Sequence, residues 1–229
     1  MRSLPILDLR WLGGDDAGRR VFLERLRAAA RDVGFFYLVG HGIDQAFIDD
    51  LLAATRRFFD LPEADKLAIE MVNSPHFRGY TRVGWEHTRG KPDWREQVDI
   101  GAERPALPRD PGRPAWGRLQ GPNQWPSAYP ELKPIILRWQ QEVTALAIRL
   151  TQAFAASLGQ PQNVFEPIYG ERPNQLVKII RYPGRDTTES DQGVGAHKDS
   201  GFVTVLLQDK VSGLQVEGPD GWIDAAPVP

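Results

Sequence analysis

After Pro173 the apolar residues recur at every second position instead of every third or fourth, and that change of period constrains the fold more than any other feature of the chain. Five runs of strand length follow: Gln175 to Tyr182, Ala196 to Asp199, Phe202 to Gln208, Gly213 to Glu217 and Trp222 to Ala226. Pro219-Asp220-Gly221 marks a hairpin turn between the last two, because glycine supplies the positive φ such turns need. Upstream the pattern is different. Leu4 to Leu9 reads as a short strand, and Ala17 to Val33 as a helix with Val21, Phe22, Leu26, Ala29, Ala30 and Val33 on one side, closed by Gly34. Phe35 to Val39 reads as a buried strand and Asp44 as the N-cap of a helix reaching about Phe59. Met71 to about Ala128 loses periodicity and gathers Pro, Gly and Trp, as lids and substrate walls do. Glu131 to Leu158 is a long helix with Pro134 in its first turn and Gly159 as its stop. The expected fold class is α+β, with a first region at 1–128 and a second, the long helix plus antiparallel sheet, at 129–229.

A chain of 229 residues with 41% hydrophobic content can bury a substantial core. Its 28 basic and 30 acidic residues are interspersed, so no basic block stands ready to neutralise phosphates, and nucleic acid and anionic membranes are not expected partners. No apolar run is long enough to span a bilayer, and the first residues lack the apolar segment of a secretory signal, so a cytoplasmic location is expected. With zero cysteines, disulfides, zinc–thiolate sites, iron–sulfur clusters and thiol nucleophiles are excluded together. Any metal must be held by nitrogen and oxygen, and the histidines are His41, His76, His87 and His197.

One of these carries a pattern. In a strand, residues two apart share a face, so His197 and Asp199 can aim an imidazole nitrogen and a carboxylate oxygen at one point while Lys198 faces away. That is two-thirds of the two-histidine, one-carboxylate arrangement that holds Fe(II) with three positions open. By itself the pair is a weak signal, and an ordinary surface strand satisfies it equally well.

Its surroundings are more specific. The run Gly195-Ala-His-Lys-Asp199, the Thr-containing apolar stretch to Gln208-Asp209, Gly213-Leu-Gln-Val216, the Gly221-Trp222 hairpin and Pro227-Val-Pro229 together resemble the metal-binding core of the isopenicillin N synthase-like Fe(II)/2-oxoglutarate-dependent oxygenases. Gly34-Phe-Phe-Tyr37 with His41-Gly-Ile43, Arg78-Gly-Tyr80, Glu86, Asp93, Arg95-Glu96, Asp99-Ile-Gly101 and Arg181-Tyr-Pro183 fall in the family's order. The resemblance implies a double-stranded β-helix, or jelly roll. It implies Fe(II) held by His197, Asp199 and a further histidine, with 2-oxoglutarate as cosubstrate. The reaction would be the oxidation of a small-molecule substrate by dioxygen, releasing succinate and carbon dioxide.

For Tyr182 two readings stand, a half-buried strand residue or the tyrosine that binds the cosubstrate carboxylate in the family. Thr204 and Leu206 match pocket-lining positions of the family, with plain sheet core as the alternative. His41 is given a structural place in its glycine-flanked turn, and His76 and His87 are expected at loop positions. In the family the second metal histidine and an Arg-x-Ser lie several dozen residues beyond the His-x-Asp. They are therefore expected beyond Pro229, and the jelly roll is expected to be incomplete in this chain, leaving it catalytically silent by itself. Two further outcomes stay open: a family member that does not use 2-oxoglutarate conventionally, and a non-catalytic fragment.

Overall fold

The computed structural model describes residues 3–170, 172–184 and 190–228. They pack as two units, one drawn from residues 1–48, 142–171 and 201–229, the other from 49–141 and 172–200.

In the first unit β1 (Ile6–Asp8) pairs in parallel with β2 (Tyr37–Val39), and α1 (Asp16–Asp32) connects them. Asp15 caps α1 by accepting a hydrogen bond from the Gly18 amide at 2.7 Å, which satisfies one of the donors a helix start leaves free. Phe22, Leu26 and Ala29 are its buried face, whereas Val21, expected on that side, is exposed. They meet Leu7, Leu9 and, from α4 (Leu132–Ser157), Leu146, Leu150 and Ala153. The α4 stop forms as expected: at Gly159 φ is +71°, and the Gln160 amide reaches back to the Ala155 carbonyl at 2.9 Å. A hairpin of β8 (Gln215–Gly218) and β9 (Gly221–Asp224) turns through Pro219-Asp220, and its Val216 packs with Leu4 and Ala225 in a second small core.

The second unit holds α3 (Glu63–Leu67) and most of α2 (Gln45–Phe59), whose start is capped by Asp44 through the Ala46 amide at 3.2 Å. Its centre is an antiparallel sheet in the order β3 (Gly79–Thr81), β6 (Glu96–Gly101), β7 (Leu176–Arg181). A short ribbon, β4 (His87–Thr88) with β5 (Lys91–Pro92), lies between β3 and β6 in sequence. Every residue of β6 is buried, which corrects the expectation of irregular chain from Met71 to Ala128. The sequence pattern fails there because Glu96, Gln97 and Asp99 are buried beside Val98 and Ile100, so polar residues occupy both faces of the strand. Their partners account for the burial. The Glu96 carboxylate accepts from the Tyr80 hydroxyl at 2.6 Å, Lys66 Nζ at 3.0 Å and Arg181 Nε at 2.5 Å. Asp99 accepts from Gln97 Nε2 at 2.7 Å and faces Lys178 Nζ at 3.2 Å.

Of the five C-terminal strands expected, three form. Among the described residues, neither Ala196 to Asp199 nor Phe202 to Gln208 belongs to a strand. A strand is defined by a ladder, and these segments have none there. The alternation nevertheless survives: Val203 and Val205 pack against the first core, while Thr204 and Leu206 between and beyond them are exposed.

Candidate metal-binding site

Histidine 197 and Asp199 lie in the second unit, on the segment that follows β7. Without a strand to align them, their side chains still converge, His197 Nε2 standing 3.2 Å from Asp199 Oδ1, both about half exposed. The ring's other nitrogen, Nδ1, lies 2.8 Å from the Gly195 carbonyl oxygen. A carbonyl can only accept, so Nδ1 carries the hydrogen and Nε2 is the nitrogen turned toward the carboxylate. A neutral imidazole in that tautomer would face Asp199 lone pair to lone pair. The arrangement therefore calls for positive charge between them, either a proton on Nε2 or a metal ion. First-row metal bonds of about 2.0–2.2 Å in neighbouring positions would set the two donors about 3 Å apart, close to the spacing present. The pair fits two ligands of a metal site. Among the described residues no group of three His, Cys, Asp or Glu side chains could hold a metal.

The remaining histidines are committed elsewhere. His41 Nδ1 accepts from the Ile43 amide at 3.1 Å, as its structural reading requires. His76 Nδ1 pairs with the Arg118 carbonyl at 2.7 Å and His87 Nδ1 with that of Trp85 at 3.1 Å.

Tyr182 follows β7 directly and is half exposed, with its ring against the backbone of Gly193: a Cβ placed there would come within 3.1 Å of the ring. It thus touches the arm that leads to His197. Thr204 and Leu206 belong to the first unit and present exposed faces.

One residue of the site was named in the sequence without a role. Asp93, fully buried, accepts from the Gly195 amide at 3.1 Å, Gln192 Nε2 at 2.9 Å and the Thr88 hydroxyl at 2.8 Å, and faces Arg95 Nη2 at 3.4 Å. The Trp94 amide adds a bond to the Gln192 carbonyl at 2.9 Å. No spacing rule could assign the contacts with Gln192 and Gly195, because they join positions about 100 residues apart; the glycines Gly193 and Gly195 ahead of His197 were the available signal.

Comparison with known proteins matches residues 4–128 to the family model described as non-haem dioxygenase in morphine synthesis N-terminal, and residues 173–229 to that of the 2OG-Fe(II) oxygenase superfamily. The chain is 40% identical over 233 residues to the 2-oxoglutarate-dependent dioxygenase frbJ of Dothideomycetidae sp. (strain 11243), covering 99% of this chain and 62% of the relative. It is 34% identical over 243 residues to the homoarginine-6-hydroxylase 2-ODD-C23.1 of Arabidopsis thaliana, covering 100% of this chain and 72% of the relative. The crystal structure of a full-length Neurospora crassa protein in complex with alpha-KG superimposes with a TM-score of 0.80 at 28% identity, over 98% of this chain and 70% of that one. The chain thus spans about two thirds of the length of the proteins it matches.

Proposed function

The chain belongs to the 2OG-Fe(II) oxygenase superfamily, and we propose that it forms part of an Fe(II)- and 2-oxoglutarate-dependent dioxygenase in which His197 and Asp199 are metal ligands. The observation that carries this reading is the convergence of Nε2 and a carboxylate oxygen at 3.2 Å, with the imidazole tautomer fixed by Gly195. Bound there, Fe(II) would supply the means to couple the decarboxylation of 2-oxoglutarate by dioxygen to the oxidation of a small organic molecule, with release of succinate and carbon dioxide. The chain's own contribution is to hold the two donors in register. His197 keeps its Nε2 lone pair directed at the site because Nδ1–H is donated to Gly195, and Asp199 supplies a compensating negative charge.

Tyr182 donates its hydroxyl to the cosubstrate carboxylate in this reading, supported by its contact with the His197 arm. Thr204 and Leu206 line the substrate side, supported by their exposed faces on an alternating segment. The order of motifs supports placement in the isopenicillin N synthase-like branch. The two family matches support a division into an N-terminal region at 1–128 and a catalytic region at 129–229. A small-molecule substrate accords with the homoarginine in the name of the plant relative. No described helix is long and apolar enough to cross a membrane, and together with the lack of cysteine this supports a cytoplasmic site of action.

The test is anaerobic titration with Fe(II), and with Mn(II) as a paramagnetic probe, followed by nuclear magnetic resonance. Broadening should centre on residues 195–199 and vanish in Asp199→Ala. Broadening centred elsewhere, or unchanged in that variant, overturns the assignment. Succinate release from 2-oxoglutarate on admitting oxygen, measured against a metal-only blank, tests turnover, and in the complete enzyme Tyr182→Phe should raise the KM for 2-oxoglutarate.

A further inference from the structure

The arm that presents His197 is gripped by a carboxylate from a distant part of the chain, and we propose that Asp93 is a positioning residue for the metal-binding pair. The proposal rests on reading His197 as a ligand. Asp93 receives four donors: the Gly195 amide and Gln192 Nε2 at Oδ1, and the Thr88 hydroxyl and Arg95 guanidinium at Oδ2. Only an ionised carboxylate is acceptor on every side, so no other short side chain satisfies all four. The segment from Gln192 to Gly195 is fixed at both ends, since Trp94 also donates its amide to Gln192. It is crowded on its flanks as well. A Cβ on Gly193 would press on the Tyr182 ring, and one on Gly195 would come 2.7 Å from the Thr88 methyl.

The next link runs from the same glycine. Gly195 gives its amide hydrogen to Asp93 and its carbonyl oxygen to His197 Nδ1. The two groups lie on different peptide planes, so Asp93 does not polarise the imidazole. It fixes the backbone at Gly195, and that backbone fixes the ring. A half-exposed histidine on an unladdered segment would otherwise sample several rotamers and lose entropy when a metal bound. Asp93 supplies that order beforehand, in place of a sheet ladder, which Ala196 to Asp199 lack among the described residues.

The experiment compares Asp93→Ala, Asp93→Asn and Glu96→Gln, the last being a buried carboxylate whose partners are Tyr80, Lys66 and Arg181 and not residues 192–195. The readouts are amide exchange at Gly195 and the Nδ1–H resonance of His197, which reports the Gly195 bond whatever the state of Nε2. In Asp93→Ala, Gly195 protection should fall about tenfold or more and the Nδ1–H signal should be lost to solvent exchange. Asp93→Asn should be intermediate, because its carbonyl can keep Gly195 and Gln192 while its amide opposes Arg95. Glu96→Gln should lower the unfolding midpoint and leave both signals in place. Mn(II) affinity at residues 195–199 should fall about 10–100-fold in Asp93→Ala with both ligands intact. Unchanged Gly195 protection in folded Asp93→Ala, or an equal loss in Glu96→Gln, overturns the proposal. Should Asp93→Ala not fold, Asp93→Asn decides on the same two signals. If the unaltered chain shows no metal broadening at residues 195–199, the ligand reading fails, while the exchange data still decide whether Asp93 holds the ring.

Discussion

Two stretches of this chain exchange the roles their sequences announce. Glu96-Gln-Val-Asp-Ile-Gly101 falls in the stretch that reads as irregular and is the strand buried along its whole length; Phe202-Val-Thr-Val-Leu-Leu-Gln208 reads as a buried strand and has no ladder among the described residues. The first is a strand because neighbours on both sides pair with it, Tyr80 on one edge and Ile179 on the other in register with Val98. The second keeps the side-chain half of a strand, with Val203 and Val205 inward, but lacks the backbone half. Pattern decides which face of a segment is apolar, and pairing decides whether it is a strand.

The comparison can be broken most forcefully at Glu96. Glu96→Ala leaves Lys66 and Arg181 without their shared counter-ion, and should cost about 3–5 kcal/mol in urea unfolding; a cost below about 1 kcal/mol would mean that the charge cluster does not hold β6 in place. Ile100→Ala, which opens space beside a fully buried strand, should cost about 2–4 kcal/mol by the same measurement.

Tyr80 sharpens the contrast through pH. Burial first, and then its hydrogen bond to the Glu96 carboxylate, hold its phenol above the ordinary tyrosine range. The folded form thus keeps its proton longer than the unfolded chain does. The associated stability is complete below about pH 10 and is lost as pH rises above that value. Tyr80→Phe should cost about 2 kcal/mol at neutral pH and flatten the fall in stability above pH 10. Equal slopes for the two proteins would remove the phenol from the account.

In the unladdered stretch the effects should be smaller. Val203→Ala should cost about 1 kcal/mol because its side chain is only partly buried. Thr204→Ala, next to it and exposed, should change stability by less than about 0.5 kcal/mol. Equal costs for the pair would show that the alternation has no energetic content.

How legible each part was follows from the same physics. Helices α1 and α4 announce themselves by period and terminal glycine, and α1 and α2 by an aspartate cap, all local properties. The closeness of the His-x-Asp pair was expected from its two-residue spacing, but the strand that argument assumed is absent among the described residues, and the pair meets without one. Strand β6 was not legible, because its stability comes from Lys66, Tyr80 and Arg181, whose relation to Glu96 exists only in the fold. Asp93 sat in view within a motif, but the carboxylate's role depends on Gln192 and Gly195, about 100 residues onward. Thr204 and Leu206 were named as pocket-lining positions from the family resemblance; the structure leaves both exposed, and the expected strand around them is not found among the described residues.

The register of Glu96 with Arg181 has a kinetic consequence. Their separation of 85 residues means that closing the sheet carries a loop entropy cost of about 4 kcal/mol before any bond between β6 and β7 is made. At about 5–20 residues per second of synthesis, Glu96 waits about 4–17 seconds for Arg181 to leave the ribosome. During that interval Lys66 and Tyr80 are its available partners, so β3 and β6 can associate early while β7 docks late. The arm carrying His197 follows β7 directly and is anchored by Asp93 from the early half. The approach of His197 to Asp199 is thus a late product of folding, acquired once β7 has docked. A partly refolded chain carries both side chains without yet holding them as a pair.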